Sequence, residues 1–296
     1  MLLDKNLRIL IIGGTGLLGS EIVKEFTHRG VTLFATTRQT TFSESPNYFV
    51  VDFLNTDRTL DLIHQIRPDI VIQAAWFTDP LKYRHSIQNT LYSQASIELA
   101  TAVRKLCIPW FIGIGSAAEL GIQEKGEVSE KENSTKLYSL AKNNTRLAIE
   151  EVLKGSKTKF IWLRPFQVYG QNEHPLRLFP SLVSTIRRGE TFQVLNSEFL
   201  LDWITSHDVA RALAWSIEKE LEGTLEVGTG TLTSVGVFCV KVSQHLGLPS
   251  HLVRLNNQKS QEFVERPADI KNVLFRSGWT PILNLNQGIP WALRTT

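Results

Sequence analysis

The sequence predicts an α/β protein, a doubly wound parallel sheet with helices on both faces, followed by a smaller mixed C-terminal part. Three observations carry this. Short apolar runs alternate with amphipathic helices as far as Pro165, glycines join the first run to the first helix, and beyond Arg164-Pro165 the rhythm loosens. Repeated strand–helix–strand units with short connections build parallel sheets covered on both sides.

Arg8–Ile12 (RILII) is too short for a helix and ends at glycines, so it reads as a buried parallel strand. Leu18, Ile22 and Phe26 then recur at helical spacing to His28, and Gly30 stops that helix. Val31–Ala35, Tyr48–Val51 and Ile70–Gln73 read as the next strands, with a helix from Thr56 to Ile66 that Pro68 ends. Leu91, Ala95, Leu99, Ala102, Val103 and Leu106 are assigned to one buried face of a long helix leading to strand Trp110–Ile114. A helix over about 135–153 precedes strand Phe160–Leu163. The segment from Gly170 to Pro180 is polar and turn-rich, and shorter helices follow near Ser181–Arg187, His207–Ile217 and Ser234–Leu246.

Composition narrows the function classes. With 296 residues, 42% hydrophobic, 21% charged, Gly 19 and Pro 11, disorder and collagen-like structure are excluded. A net charge of +3 with no block of like charge points to a small-molecule partner and not to nucleic acid. Two cysteines, Cys107 and Cys239, cannot form a disulfide framework; they read as small core residues of a protein in a reducing cytosol. The N-terminus carries charges where a signal peptide needs an apolar core, and no apolar run reaches membrane-spanning length, so a cytoplasmic protein is expected.

Gly13-Gly14-Thr15-Gly16-Leu17-Leu18-Gly19 follows the first strand and opens the first helix. In this context Gly13 permits the sharp turn, Gly16 lets a phosphate approach the backbone, and Gly19 lets the helix sit close on the sheet. The N–H groups of Leu17 and Leu18 then face a pyrophosphate, which makes this a Rossmann-type dinucleotide site. An acidic residue ending the second strand would select NAD. The chain reads Ala35-Thr36-Thr37-Arg38 instead, and a guanidinium beside hydroxyls suits a 2′-phosphate, so NADP(H) is favoured with NAD(H) the alternative. Asp52 is placed to accept from the adenine amino group or, alternatively, to cap a helix. Residues 1–165 thus form the dinucleotide-binding domain and 166–296 a substrate-binding part, with a soft boundary and some later segments returning to the first domain.

Tyr138 and Lys142 stand four apart, on one helix face and about 6 Å apart along the axis. A free phenol is useless as an acid–base group at neutral pH, but a neighbouring ammonium favours the phenolate and poises Tyr138 to exchange a proton with a carbonyl or alcohol. Ser116 lies just past strand Trp110–Ile114, at the carboxyl edge where such sheets bind ligands, and is placed to hydrogen-bond the same oxygen. No metal site is read.

Together these residues resemble the extended short-chain dehydrogenase/reductase family, in its NAD-dependent epimerase/dehydratase branch, from about Leu7 to Trp291. Asp52 and the following Phe53 match its adenine contact, and Pro68 to Ala75 (PDIVIQAA) its fourth strand, whose end, with Ala74, Ala75 and Trp76, touches the cofactor ribose. Asn89 matches the Asn of the next helix, and Ser116 to Gly121 (SAAELG) the segment opening with the catalytic Ser or Thr, just after Ile114. Pro165, Phe166, Gln167 and Val168 match the stretch that leads past the nicotinamide. Asp202-Trp203-Ile204 with Asp208-Val209-Ala210, and Gly278-Trp279-Thr280-Pro281, match later signatures.

The resemblance implies hydride transfer between a nicotinamide and a carbonyl carbon. Tyr138 protonates the oxygen, Ser116 orients it, Lys142 holds the ribose and lowers the Tyr pKa, and Asn89 supports Lys142 through a water. Dehydratases of the family carry an Asp-Glu pair where this chain has Ala117 and Ala118, and reductases that also epimerise place a Cys at the position of Ala118. Glu119 lies one place too far and reads as a loop carboxylate; His174 reads as a solvated loop residue. The pattern is closest to small nucleotide-sugar 4-keto reductases, so the expectation is a reductase acting on a keto-deoxysugar, with a nucleotide-sugar 4-epimerase and a non-catalytic dinucleotide sensor as alternatives. Trp76, Ser116, Ala117 and Gln167 are assigned to the substrate. Leu201 replaces the diphosphate-gripping Arg of many relatives, leaving Arg266, Arg177 and Arg187 as candidates. The family also implies a homodimer through the helices that carry Asn89 and Tyr138.

Overall fold

The computed structural model describes residues 4, 6–42, 47–120, 133–256 and 266–294. Gly121, which ends the SAAELG segment, and most of the extreme N-terminus therefore lie outside the described residues. The chain divides into two compact units, Met1–Arg164 with Leu213–Leu225, and Pro165–Ala212 with Glu226–Thr296.

The first unit is built on β1 (Arg8–Ile12), β2 (Thr32–Thr37), β3 (Tyr48–Val50), β4 (Ile70–Gln73), β5 (Trp110–Ile114) and β6 (Lys159–Pro165). With β10 (Gly223–Val227) they form a seven-stranded sheet in the order β10-β6-β5-β4-β1-β2-β3. The pairs β1–β2, β2–β3, β1–β4, β4–β5 and β5–β6 are parallel. The winding sense reverses between β1 and β4, the switch point outside whose carboxyl ends ligands bind.

Helix α1 (Leu17–His28) buries Ile22 and Phe26, and Gly30 leaves it at φ 72°. Helix α2 (Thr56–Ile66) is capped by Asn55, whose side chain accepts from the Arg58 N–H. Asp52 is thus not its cap: it stands three residues too early and binds the Leu54 N–H instead. Helix α3 (Gln88–Lys105) buries Tyr92, Ala95, Ser96, Leu99, Ala100 and Val103. Leu91 and Leu106, expected on that face, are exposed, because the 3.6-residue period carries them to the flank of the stripe. Helix α4 (Asn133–Leu153) lies against α3, with Thr145 Oγ1 2.6 Å from Ser93 Oγ. Cys239 is buried as expected, whereas Cys107 is exposed at φ 53°, where the chain turns out of α3.

The second unit holds a three-stranded sheet in the order β11 (Leu232–Ser234), β9 (Leu200–Thr205), β7 (Gln167–Tyr169), and the pair β8 (Phe192–Val194) and β12 (Val253–Leu255). Its helices are α5 (Leu178–Arg187), α6 (Ser206–Glu218), which runs on into the segment assigned to the first unit, α7 (Val235–His245), α8 (Val273–Arg276) and α9 (Leu285–Leu293). Trp203 stacks on Phe238 at 3.9 Å with an interplanar angle of 2° and centres the core of this unit. Among the described residues no helix is long and apolar enough to cross a membrane.

Candidate active site

The glycine loop is fixed from β2. Gly13 N–H donates to Thr36 Oγ1 at 3.0 Å and Gly14 N–H to the Thr36 carbonyl at 2.8 Å. Gly13 turns at φ 89°, with the Ala75 backbone so close that a Cβ would lie 2.9 Å from it. A Cβ on Gly19 would stand 2.0 Å from the Gly13 carbonyl oxygen, so only glycine lets α1 approach the loop. No side chain caps α1, whose N-cap is Gly16. The first-turn N–H groups of Leu17 and Leu18 have no intrahelical acceptor, and the positive helix end points the same way. This cradle fits the pyrophosphate of a dinucleotide.

Beyond it, Thr15 Oγ1 and Thr37 Oγ1 are 3.0 Å apart, and Arg38 is exposed. The Tyr92 phenol is pushed up by burial, while Arg38 pulls it down and Asp52 pushes it up, which places all three in one electrostatic neighbourhood. Phe53 packs on Tyr92 with ring centroids 6.0 Å apart.

Ser116 lies two residues beyond β5, as N-cap of a short 3₁₀ turn, Ala117–Glu119. Its Oγ accepts from the Ala118 N–H at 3.2 Å, an arrangement that leaves the hydroxyl proton available to donate. Lys142, on α4, donates to the Ile114 carbonyl at 2.6 Å and so ties this helix to the carboxyl end of β5. Tyr138 sits one turn earlier, half-buried, with its ring edge-on to Tyr83 at 5.1 Å. The Tyr138 N–H donates to the Arg84 carbonyl at 3.3 Å, so the loop after β4 flanks the phenol.

Lys142 is only 3% exposed. Its ammonium lies 3.6 Å from the centre of the Trp76 ring and 5.9 Å from that of Trp162. Burial lowers its pKa to about 7, and the charge of Glu119 opposes that fall. Asn89 accepts from the Trp76 indole N–H at 2.9 Å and donates to the carbonyls of Tyr83 at 2.5 Å and Ser86 at 3.0 Å. Asn89 and Lys142 thus both contact the Trp76 indole. Trp76 is itself buried, with Tyr92 as its other ring neighbour.

Glu119 differs most from expectation. Read as a loop carboxylate, it lies in the short turn after β5 but is fully buried, with four donors converging on it. Oε1 accepts from the Ser116 N–H at 2.7 Å and the Trp162 indole at 3.1 Å; Oε2 accepts from the same indole at 3.0 Å and from Arg164 Nη2 at 3.0 Å and Nε at 3.3 Å. A capping-box spacing, Ser116 followed three residues later by Glu119, was the signal that could have revealed it.

The remaining expected residues belong to the second unit. Phe166 is buried and donates its N–H to the Val227 carbonyl at 3.0 Å, with Gln167 and Val168 following in β7. Arg177 is the N-cap residue of α5, and Arg187 is its last residue. Arg266 pairs with Glu226 at 2.6 Å. His174 is exposed and accepts the Leu176 N–H on Nδ1 at 3.2 Å. Its neighbour Glu173, which sequence reasoning passed over, has its carboxyl pushed up to about 7 by burial, with Arg177 and the Gly170 N–H pulling the other way.

Comparison with known proteins places residues 9–228 within the model of the NAD dependent epimerase/dehydratase family. A decarboxylating sterol-4-alpha-carboxylate 3-dehydrogenase of Candida albicans is 24% identical over 236 residues, 72% of this chain. The chain spans 65% of the length of that relative. Among solved structures, the UDP-glucose 4-epimerase of Thermus thermophilus in complex with NAD superposes with a TM-score of 0.78 at 20% identity, covering 97% of each chain. The GDP-mannoheptose C4 reductase of Campylobacter jejuni with NADP bound gives 0.80 at 16% identity, covering 98% of each.

Proposed function

The chain belongs to the NAD dependent epimerase/dehydratase family, and from that premise we propose that it is an NADP(H)-dependent oxidoreductase that reduces a keto group of a nucleotide-linked deoxysugar. The observation that carries this reading is the bond from Lys142 Nζ to the Ile114 carbonyl. It draws the helix bearing Tyr138 to the strand end that presents Ser116, as proton transfer at one substrate oxygen requires.

The residues that would hold the dinucleotide are Gly13, Gly16 and Gly19 with the Leu17 and Leu18 N–H groups at the pyrophosphate. Thr15, Thr37 and Arg38 would hold the adenosine ribose, Asp52 and Phe53 the adenine. Ala74, Ala75, Ile114 and Lys142, with Pro165, Phe166 and Val168, would serve the nicotinamide end. When bound, the nicotinamide supplies the hydride donor and acceptor. The Tyr138 O–H gives its proton to the carbonyl oxygen that becomes the alcohol, while the Ser116 O–H donates a hydrogen bond to that oxygen. Burial lowers the Lys142 pKa to about 7, so the positive charge that favours the Tyr138 phenolate is greatest on the acid side.

Ala117 and Ala118 can move no protons, which supports reduction over dehydration. Arg38 supports NADP(H). The exposed Leu137, Leu140 and Leu147 of α4 and Leu91 of α3 support a homodimer through these helices. Substrate contacts are assigned to Trp76, Ser116, Ala117, Gln167, Arg177 and Arg266.

The test is NADPH oxidation by the purified protein over a panel of nucleotide-linked 4-ketosugars, followed at 340 nm. Turnover with added NADPH supports the reading. Stoichiometric co-purified NAD, with interconversion of nucleotide sugars without added cofactor, would make the protein an epimerase. Cofactor binding without turnover on the whole panel would make it a sensor.

A further inference from the structure

Beyond the charge it shows Lys142, Glu119 has no role in the chemistry just described, yet it is among the most heavily hydrogen-bonded carboxylates of the first unit. A buried carboxylate is costly unless it is paired and bonded, and here both oxygens are engaged by donors from two directions. From β6 come the Trp162 indole and the Arg164 guanidinium, Arg164 itself only 4% exposed. From the turn comes the backbone N–H of Ser116, in the shortest of these contacts at 2.7 Å.

The strand beside it is shaped to receive this cluster. A Cβ on Gly113 would lie 2.4 Å from the Trp162 ring, and one on Gly115 would lie 2.3 Å from its Nε1 and 2.5 Å from Glu119 Oε1. The glycines of Gly113-Ile114-Gly115-Ser116 are therefore required by the indole and the carboxylate pressed against β5.

We propose that Glu119 is the positioning residue of Ser116: held by Arg164 and Trp162, it fixes the Ser116 backbone through that N–H and so aims the Ser116 hydroxyl at the substrate oxygen. The inference rests on the reductase reading for the role of Ser116, but the anchoring itself does not.

Removing Glu119 alone would take its carboxylate from the buried Arg164 guanidinium, so the ion pair is replaced as a unit. Glu119→Leu with Arg164→Met leaves the Ser116 N–H without an acceptor, while Glu119→Gln with Arg164→Met keeps a carbonyl oxygen for it. Each pair is made in the wild-type and the Ser116→Ala background, and kcat and the KM for NADPH are measured. The Leu pair is expected to lose roughly ten- to hundredfold in kcat, no more than the loss of one oxyanion donor, with KM for NADPH unchanged. The Gln pair, which removes the same charge from beside Lys142, should recover most of it, and the two pairs should match each other once Ser116 is Ala. A Leu-to-Gln difference of equal size in both backgrounds, or full kcat in the Leu pair, would overturn the proposal.

Amide exchange decides the anchoring without turnover. The Ser116 N–H should be protected in the wild-type protein and the Gln pair, and exposed in the Leu pair. Rapid Ser116 exchange in the wild-type protein, or equal protection in both pairs, overturns it. A wild-type protein with a protected Ser116 amide but no turnover would instead count against the reductase reading alone.

Discussion

Replacing Lys142 by Met tests the most unusual electrostatic feature of the first unit. In the unfolded chain this amine titrates at its ordinary 10.5, and in the fold burial brings it to about 7. Between these values the unfolded state binds the extra proton, so stability rises with pH there; the contribution is complete above 10.5 and lost as pH falls through 7. Between about pH 8 and 9.5 the difference is close to one proton. The slope is then roughly 1.4 kcal/mol per pH unit, or about 2 kcal/mol over that interval. The Met variant has no such term. It also loses the bond to the Ile114 carbonyl and the seat on Trp76, but these add an offset that pH leaves unchanged. Urea unfolding of both proteins at several pH values in this window reads the slope as a difference, cancelling groups common to both. The wild-type protein should gain on the variant steadily as pH rises. Parallel stability curves would refute the reasoning and mean that Trp76 and Glu119 hold the ammonium near its ordinary titration.

Four other outcomes are expected. Tyr138→Phe should lower turnover by at least about a hundredfold while NADPH affinity, read by fluorescence titration, stays within about twofold. Arg38→Ala should weaken NADPH by about tenfold and leave NADH nearly unchanged; equal loss of both would remove the 2′-phosphate role. Gly19→Ala sets a methyl group against the Gly13 carbonyl, so both cofactor affinity and melting temperature should fall. Asp202→Ala should cost about 3–5 kcal/mol in urea unfolding, since it strands the N–H groups of Thr229, Gly230 and Ala268 that the carboxylate accepts.

The periodic elements were legible in the sequence because one interaction set each of them. Apolar runs at Arg8–Ile12, Ile70–Gln73 and Trp110–Ile114 have no other reading beside glycine and proline boundaries, and the observed strands coincide with them. The strands of the second unit were not foreseen. β7, β8, β11 and β12 are three residues long and half-polar, and their pairing is decided by partners distant in the chain. At the candidate site, the residue types and spacing of Ser116, Tyr138 and Lys142 could be read from the sequence. The surroundings could not: the burial of Lys142 under Trp76 depends on Asn89 turning the indole, and the burial of Glu119 depends on Arg164 arriving from another strand. Tertiary neighbours set both, and local pattern carries no record of them.

Asp202 joins segments 27 and 66 positions further along the chain, at Thr229 and Ala268. The entropy cost of closing such loops grows only slowly with their length, so polar bonds and strand pairing suffice. Here the carboxylate reinforces the β9–β11 pairing, reversibly and indifferent to redox conditions. With that pairing, the three segments are expected to open together as one cooperative block in native-state exchange.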